Sequence, residues 1–143
     1  MPTDSENIIA LGPISVALSN FKISDTAVPA GSQSIIQKPN NLELSVEVEF
    51  SPCPSPFTNF LLGLGLEIEV LFHVEGFGPA PEVDLGPATV TTNGTDCSYT
   101  VSLNSPSTSL TAGVYKAAAV VTVKGGGVPF ATGYISDIVF QVY

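Results

Sequence analysis

Two stretches of this chain alternate apolar and polar residues almost without a break, and this alternation restricts the fold more than any other feature. They are LELSVEVEF at 42–50 and LEIEVLFHVEG at 66–76. Successive side chains of a β-strand point to opposite faces, so a period of two residues predicts strands with one buried face. No window shows the 3.6-residue period of an amphipathic helix. The chain is therefore predicted to be all-β.

Clusters of Gly, Pro, Ser and Asn separate further alternating stretches, which predict the remaining strands. These lie at 14–24, 88–92, 97–104, 114–124 and 134–143, with a side strand at 34–37. In the first, a bulge at Ser19 and Asn20 restores the register of the apolar residues. In the last, Tyr134 is predicted to face inward and Ile135 outward. Asn93-Gly94 is a strong hairpin signal between 88–92 and 97–104.

Without helices to make parallel crossovers, these strands predict a Greek-key β-sandwich of about seven to eight antiparallel strands. A chain of 143 residues corresponds to one domain, here 1–143, and 1–13 is expected to be an N-terminal arm or an extra strand.

The segment LTAGVY at 110–115 resembles the corner before the penultimate strand of immunoglobulin-like and fibronectin type III-like domains. The residues that carry the resemblance are Leu110, Gly113 and Tyr115. It implies an immunoglobulin-like sandwich in which the Tyr115 hydroxyl bonds to upstream backbone. The sequence departs from the antibody pattern because it has no tryptophan and its cysteines are misplaced. The implied topology has one sheet of 14–24, 42–50, 97–104 and 88–92, and another of 66–76, 114–124 and 134–143.

Cys53 and Cys97 are the only cysteines. In the implied topology, Cys53 follows one strand and Cys97 begins its antiparallel neighbour, so the two ends meet. A disulfide is one expectation, and two reduced thiols are the other.

The charge balance excludes one class of function. The chain has 4 Lys and Arg residues, all lysines, against 13 Asp and Glu, a net charge of −9. Nucleic-acid binding requires a cationic track, so it is not expected. No run is long enough for a transmembrane segment, and MPTDSENIIALGP is unlike a secretory signal peptide. The expected location is cytoplasmic, or non-classically exported.

Candidate catalytic and metal-binding residues are few. His73 is the only histidine, and no catalytic or cofactor-binding motif surrounds it. It is expected to be a solvent-facing strand residue beside Glu75, and a hydrolase centred on it is a distant alternative. Glu82, Asp84 and Asp96 are expected to be solvated loop acids rather than calcium ligands. No enzyme activity, cofactor or metal is therefore expected.

The outer faces of 66–76, 114–124 and 134–143 are predicted to carry a strip of apolar side chains within a charged rim, which is typical of an interface. The strip consists of Leu71, Val120, Ile135 and Val139, and the rim includes Lys116 and Glu69. Self-association through this face is predicted. The alternative is that an extra strand or ENIIALG covers the strip.

The segment FSPCPSPFTNFLLGLGL, at 50–66, has no charged residue and is strongly apolar for a connection between strands. It either plugs the end of the sandwich, or projects Phe57, Phe60, Leu61 and Leu62 as a tip that contacts another subunit or a membrane surface.

Together these features predict an acidic, non-enzymatic structural or protein-interaction module that forms homo-oligomers or docks on a protein partner. The alternative is a carbohydrate-binding or adhesive sandwich, with calcium at loop carboxylates. The lack of tryptophan and the inward positions of three of four tyrosines count against that alternative.

Overall fold

The structure, a computed structural model, describes residues 7–11, 14–27, 34–78 and 82–143, with backbone alone at 7–11, Ser109, Phe130 and Asp137. The described residues form nine strands and one α-helix, α1, with one turn of 3-10 helix at Ser107–Ser109. The helix is Pro56–Gly63. The strands are β1 Asn7–Leu11, β2 Ile14–Asp25, β3 Ile35–Ile36, β4 Asn41–Ser51, β5 Glu67–Gly76, β6 Val83–Thr91, β7 Ser98–Pro106, β8 Gly113–Gly125 and β9 Val128–Val142.

Two sheets pack face to face, which confirms the predicted all-β sandwich. The four-stranded sheet has the order β1-β2-β4-β7, and the five-stranded sheet has the order β3-β9-β8-β5-β6. The predicted neighbours are found for β4 with β7 and for β8 with both β5 and β9. β3 is parallel to β9, whereas only antiparallel strands were expected.

β6 was predicted in the sheet of β4 and β7, but it lies in the five-stranded sheet, where it pairs with β5. The prediction of a hairpin at Asn93-Gly94 is therefore also wrong, because this turn connects β6 in one sheet to β7 in the other. The Asn93 side chain organises the turn by accepting hydrogen bonds from the backbone N–H groups of Thr95 and Asp96. An Asn-Gly pair can make a sharp turn without joining two paired strands.

The core follows the predicted alternation in β2, β4, β5 and β8. Their inward apolar residues are nearly all less than 4% exposed. In β2 the register shifts between Ser19 and Lys22, where Asn20 adopts a φ of 55°. The predicted bulge is confirmed, and it allows Leu18 and Phe21 to share one face.

β9 departs from the predicted pattern at its centre. Ile135 is fully buried, and Tyr134 is 59% exposed, the reverse of the expectation for both. Ile138 lies opposite Ala117, and Ile135 lies opposite Ala119. Two residues of β9, Ser136 and Asp137, therefore face a single residue of β8, Ala118. Such a bulge exchanges the faces of the residues on either side of it. Ile135 therefore belongs to the core and not to the predicted strip.

The corner before β8 has the expected geometry. The Tyr115 hydroxyl donates to the carbonyl oxygen of Thr111 at 2.6 Å, and its ring stacks on Phe140 with centroids 5.4 Å apart. Leu110 is 1% exposed beneath the turn. These contacts fix the start of β8, the central strand of the candidate site.

Cys53 and Cys97 form a disulfide, with Cα atoms 5.8 Å apart. Cys53 lies two residues beyond β4 and Cys97 immediately precedes β7. The bond thus joins the paired ends of two neighbouring strands and holds the entry to α1.

Candidate functional site

The outer face of the five-stranded sheet, formed by β6, β5, β8 and β9, is termed the sheet face. Leu71 lies opposite Val120, and Val120 lies opposite Tyr134, so one row of apolar side chains crosses three strands. Leu71 and Val120 are half-buried within the row, while Tyr134 is 59% exposed at its end. Tyr134 thus occupies the place on this face that was expected for Ile135.

A second apolar patch lies nearer the end of β9. Val139 is 53% exposed and Val114 is 39% exposed. Val139 lies opposite Lys116, four residues along β8 from Val120. The predicted continuous strip is therefore two patches, one around Val120 and Tyr134 and one around Val139.

Ion pairs lie at both ends of the sheet face. Lys116 Nζ is 3.5 Å from a carboxylate oxygen of Glu75, and Lys124 Nζ is 3.0 Å from one of Glu69. Lys116 and Glu69, both placed at the rim from the sequence, thus belong to different pairs. Exposed pairs of this kind contribute at most about 1 kcal/mol to stability, so their main effect is to align the strands.

A groove of about 350 Å³ lies between the two apolar patches. Ser136 of the β9 bulge and Ala118, the residue opposite the bulge, both belong to its lining. Its lining combines carboxylates, a lysine, a histidine and a hydroxyl group. The lining residues are His73, Val74, Glu75, Glu82, Lys116, Ala117, Ala118 and Ser136.

His73 pairs with a residue that the sequence placed in a loop. Its Nδ1 is 2.5 Å from Oδ1 of Asp84, which lies opposite it on β6. Glu75, the expected companion of His73, pairs with Lys116. Ser136 lies across Ala118, and none of the hydrogen bonds found for the described residues joins it to His73. The groove therefore offers polar side chains for binding, without the hydroxyl-to-base contact that activates a serine nucleophile.

The acids considered for calcium do not come together. Asp84 lies near the start of β6, and Asp96 lies beyond its end, where it accepts a hydrogen bond from the Asn93 side chain. Within the described ranges, no group of three or more His, Cys, Asp or Glu side chains is placed to hold a metal ion.

The uncharged segment 50–66 contains α1, a helix that the sequence did not predict. Leu62 is fully buried and Leu61 is partly buried against the core. Phe57, Phe60 and Leu64 are 54%, 68% and 62% exposed. One side of the helix thus plugs the sandwich with Leu62 and part of Leu61, while Phe57 and Phe60 project from it. Leu61 and Leu62 therefore do not belong to an exposed tip, and contact of the projecting side with a subunit or a membrane stays a prediction. No helix in the part of the chain that the structure describes is long and apolar enough to cross a membrane.

The comparisons with known proteins define the class to which the fold belongs, an all-β sandwich. The C-terminal domain of wzt, a solved structure, is similar to this chain with a TM-score of 0.57 and 11% sequence identity, covering 100% of this chain and 80% of that chain. At this identity the likeness concerns the fold alone. No protein-family model matches the chain, and neither does any curated protein sequence.

Sequence reasoning missed Ser136 as a lining residue of the groove because it missed the β9 bulge. The signal was present in YISDIVF, where Ser136 and Asp137 stand between Ile135 and Ile138. The same pattern, two polar residues between apolar residues of opposite parity, identified the bulge at Ser19 and Asn20. Asp84 and Glu82 were missed as members of this face because the strand was predicted to begin at 88, which left both residues in a loop, whereas β6 begins at Val83.

Proposed function

We propose that this chain is a non-enzymatic protein-interaction module that pairs with a second copy of itself through the sheet face. The observation that carries the proposal is the exposure of Tyr134 and Val139, at 59% and 53%, on a face crossed by a row of apolar side chains. β1, the candidate cover for this face, pairs instead with β2 in the other sheet. Exposed apolar area beside charged pairs is typical of a protein interface.

The net charge of −9 makes two copies repel each other unless the contact is locally balanced. The sheet face carries Lys116 and Lys124, two of the four lysines, each paired with a glutamate. Glu67 and Asp84 lie on the same face, opposite Lys124 and His73 on the neighbouring strands. Association through this face therefore requires the lysines of each copy to lie near the acids of the other.

Within this proposal the sandwich is of the immunoglobulin-like type. The hydrogen bond from the Tyr115 hydroxyl to Thr111 supports that assignment, since it is the contact that the resemblance implied.

Replacing Val139 with glutamate tests the interface. Because Val139 is 53% exposed, Val139→Glu should fold normally, while two buried carboxylates should prevent association. Light scattering over a range of concentrations should give a smaller particle mass for the variant than for the wild type. Val128→Glu is the matched control, because Val128 is 63% exposed at the first position of β9, opposite Gly125 and away from both apolar patches of the sheet face.

Two outcomes would contradict the proposed interface. One is a wild-type protein that stays monomeric at every concentration or keeps its mass in Val139→Glu. The other is an unfolded Val139→Glu protein, which would mean that this surface is covered within the same chain.

Carbohydrate binding in the groove is a second candidate function. Its support is the 350 Å³ space lined by carboxylates, Lys116 and Ser136, which can donate to and accept from adjacent sugar hydroxyls. Tyr134 and Tyr143 are both more than half exposed, so the chain presents more aromatic surface than its sequence indicated. Glycan-array binding, with and without calcium, tests this candidate. Saturable sugar binding by a monomer, lost when Ala118→Leu fills the groove, would place this candidate ahead of self-association.

A further inference from the structure

The exposed side of α1 presents three large apolar side chains to solvent. Phe57, Phe60 and Leu64 are spaced three and four residues apart, so they lie on one side of the helix. Each is more than half exposed. Val128, 63% exposed, begins β9 at the same end of the sandwich, because Lys124 near the end of β8 pairs with Glu67 just after α1. This surface is termed the α1 end.

Several contacts prevent the α1 end from folding its apolar side chains inward. The opposite side of the helix is anchored by Thr58 and Leu62, both fully buried. The Thr92 hydroxyl donates to the carbonyl oxygen of Leu62 at 2.7 Å and accepts from the Leu66 N–H at 2.8 Å. The disulfide between Cys53 and Cys97 holds the chain just before the helix. The exposure of the two phenylalanines is therefore built into the fold.

The polar side chains of this segment are already engaged within the chain. Ser55 and Thr58 share a hydroxyl–hydroxyl hydrogen bond of 3.0 Å. The Asn59 side chain accepts from the Ser55 N–H and donates to the Gly94 carbonyl oxygen, each at 2.9 Å. Protein interfaces carry about one hydrogen bond per 100–200 Å², and the exposed side of α1 offers mainly hydrocarbon. Such a surface suits an apolar medium better than a protein partner.

The exposed area also argues against a stable dimer through α1. With about 200 Å² for each side chain, the exposed fractions of Phe57, Phe60 and Leu64 give roughly 370 Å² per copy. A stable protein interface buries about 800 Å² per partner, apolar core and polar rim together, which a face of four strands can supply and a helix of two turns cannot. A lipid surface requires no such minimum, because each inserted side chain contributes separately.

We propose that the α1 end docks on a zwitterionic lipid surface, with Phe57, Phe60 and Leu64 inserted below the headgroups. Charge selects the kind of lipid. The helix has no charged residue, and the chain carries a net charge of −9, so anionic headgroups repel the molecule while neutral ones do not. The contact goes beyond the proposed self-association and uses a different surface.

Flotation with phosphatidylcholine vesicles tests the proposal. The wild-type protein should float with these vesicles, equally well at low and high salt, and less well when phosphatidylserine is added. Phe60→Ser should reduce the bound fraction about tenfold, since it removes one of the largest inserted side chains. Phe77→Ser is the matched control, because Phe77 is 49% exposed at the far end of β5 and should leave binding unchanged.

Three results would overturn the proposal. The first is a wild-type protein that does not float with phosphatidylcholine vesicles. The second is an equal loss of binding in Phe60→Ser and Phe77→Ser, which indicates adsorption without a defined surface. The third is a smaller particle mass for Phe60→Ser in vesicle-free solution, which makes the α1 end a contact between copies. If Phe60→Ser fails to fold, Phe57→Ser provides the same comparison. Val139→Glu should still float, which separates this test from that of the sheet face.

Discussion

Asp25 is a charged residue that the fold buries, with only 3% of its surface exposed. Its carboxylate accepts hydrogen bonds from the backbone N–H groups of Ala27 and Gln37 and from the side chain of Asn40. Burial by itself raises the pKa of Asp25, but the three hydrogen bonds outweigh it and leave the pKa below its ordinary value. The ionised carboxylate therefore connects the end of β2 to the segment between β3 and β4.

Asp25→Asn should destabilise the protein by about 1–3 kcal/mol, because an amide nitrogen cannot accept the bonds that one carboxylate oxygen receives. Since folding lowers the pKa of Asp25, its contribution is complete above the ordinary aspartate pKa of about 3.9 and is lost as the pH falls through the lower folded value. Chemical denaturation at several pH values should show the largest difference from wild type near neutral pH and a smaller one below about pH 4.

Glu49→Gln is the control for Asp25→Asn, because it removes the same charge from an exposed position on β4. It should change the free energy of unfolding by less than about 0.5 kcal/mol. Equal effects of the two variants would mean that net charge, and not the buried hydrogen bonds, determines the change.

At the residue scale, the sequence predicted most of the core but not the faces of Tyr134 and Ile135. Alternation assigns a residue to a face only while the register holds, and a single bulge reverses the assignment beyond it. The β2 bulge was recognised because the apolar Leu18 and Phe21 have opposite parity around two polar residues. Ile135 and Ile138 show the same pattern, but Tyr134 is also compatible with the core, so an unbroken alternation from Tyr134 to Val142 was predicted.

At the scale of elements, α1 shows why a short helix escapes detection by sequence periodicity. It has 8 residues, about two turns, and its exposed side is as apolar as its buried side. Its beginning carries a local signal, since Ser55 caps the helix and Pro56 follows at its first position. A cap without amphipathic periodicity is a weak sign of a helix, and the segment was therefore expected to be a connection.

The two sides of α1 should respond differently to the same substitution. Leu62→Ala should destabilise the protein by about 2–5 kcal/mol, because it leaves a cavity beneath the helix. Leu64→Ala, at a side chain that is 62% exposed, should change the free energy of unfolding by less than about 0.5 kcal/mol. Thermal denaturation of the two variants makes the comparison. Similar losses would show that Leu64 is also packed, which would weaken the case for an exposed α1 end.

At the scale of the whole molecule, the pairing of β4 with β7 and of β8 with both β5 and β9 could be predicted, whereas the sheet of β6 could not. The sheet positions of the inner strands could be predicted because their inward residues are all apolar. β6 is an edge strand with few buried side chains, and its inward Leu85 and Ala88 fit either sheet. Its place is specified by contacts that form only in three dimensions, such as the pairing of Asp84 with His73.

The disulfide closes a long loop of the chain, from Cys53 to Cys97. Cys53 and Cys97 are 44 positions apart, and the loop that the bond closes contains α1, β5 and β6, the last two of which belong to the five-stranded sheet. In the chain-entropy model, a loop of this length restricts the unfolded state by roughly 4 kcal/mol. Cys53→Ser with Cys97→Ser should therefore lower the Tm substantially, and reductant should lower the Tm of the wild type but not that of the double variant. Alkylation of native protein, followed by mass spectrometry, is the direct check. Two freely modified thiols would contradict the bond, and an unchanged Tm on reduction would show that β4 and β7 hold this end without it.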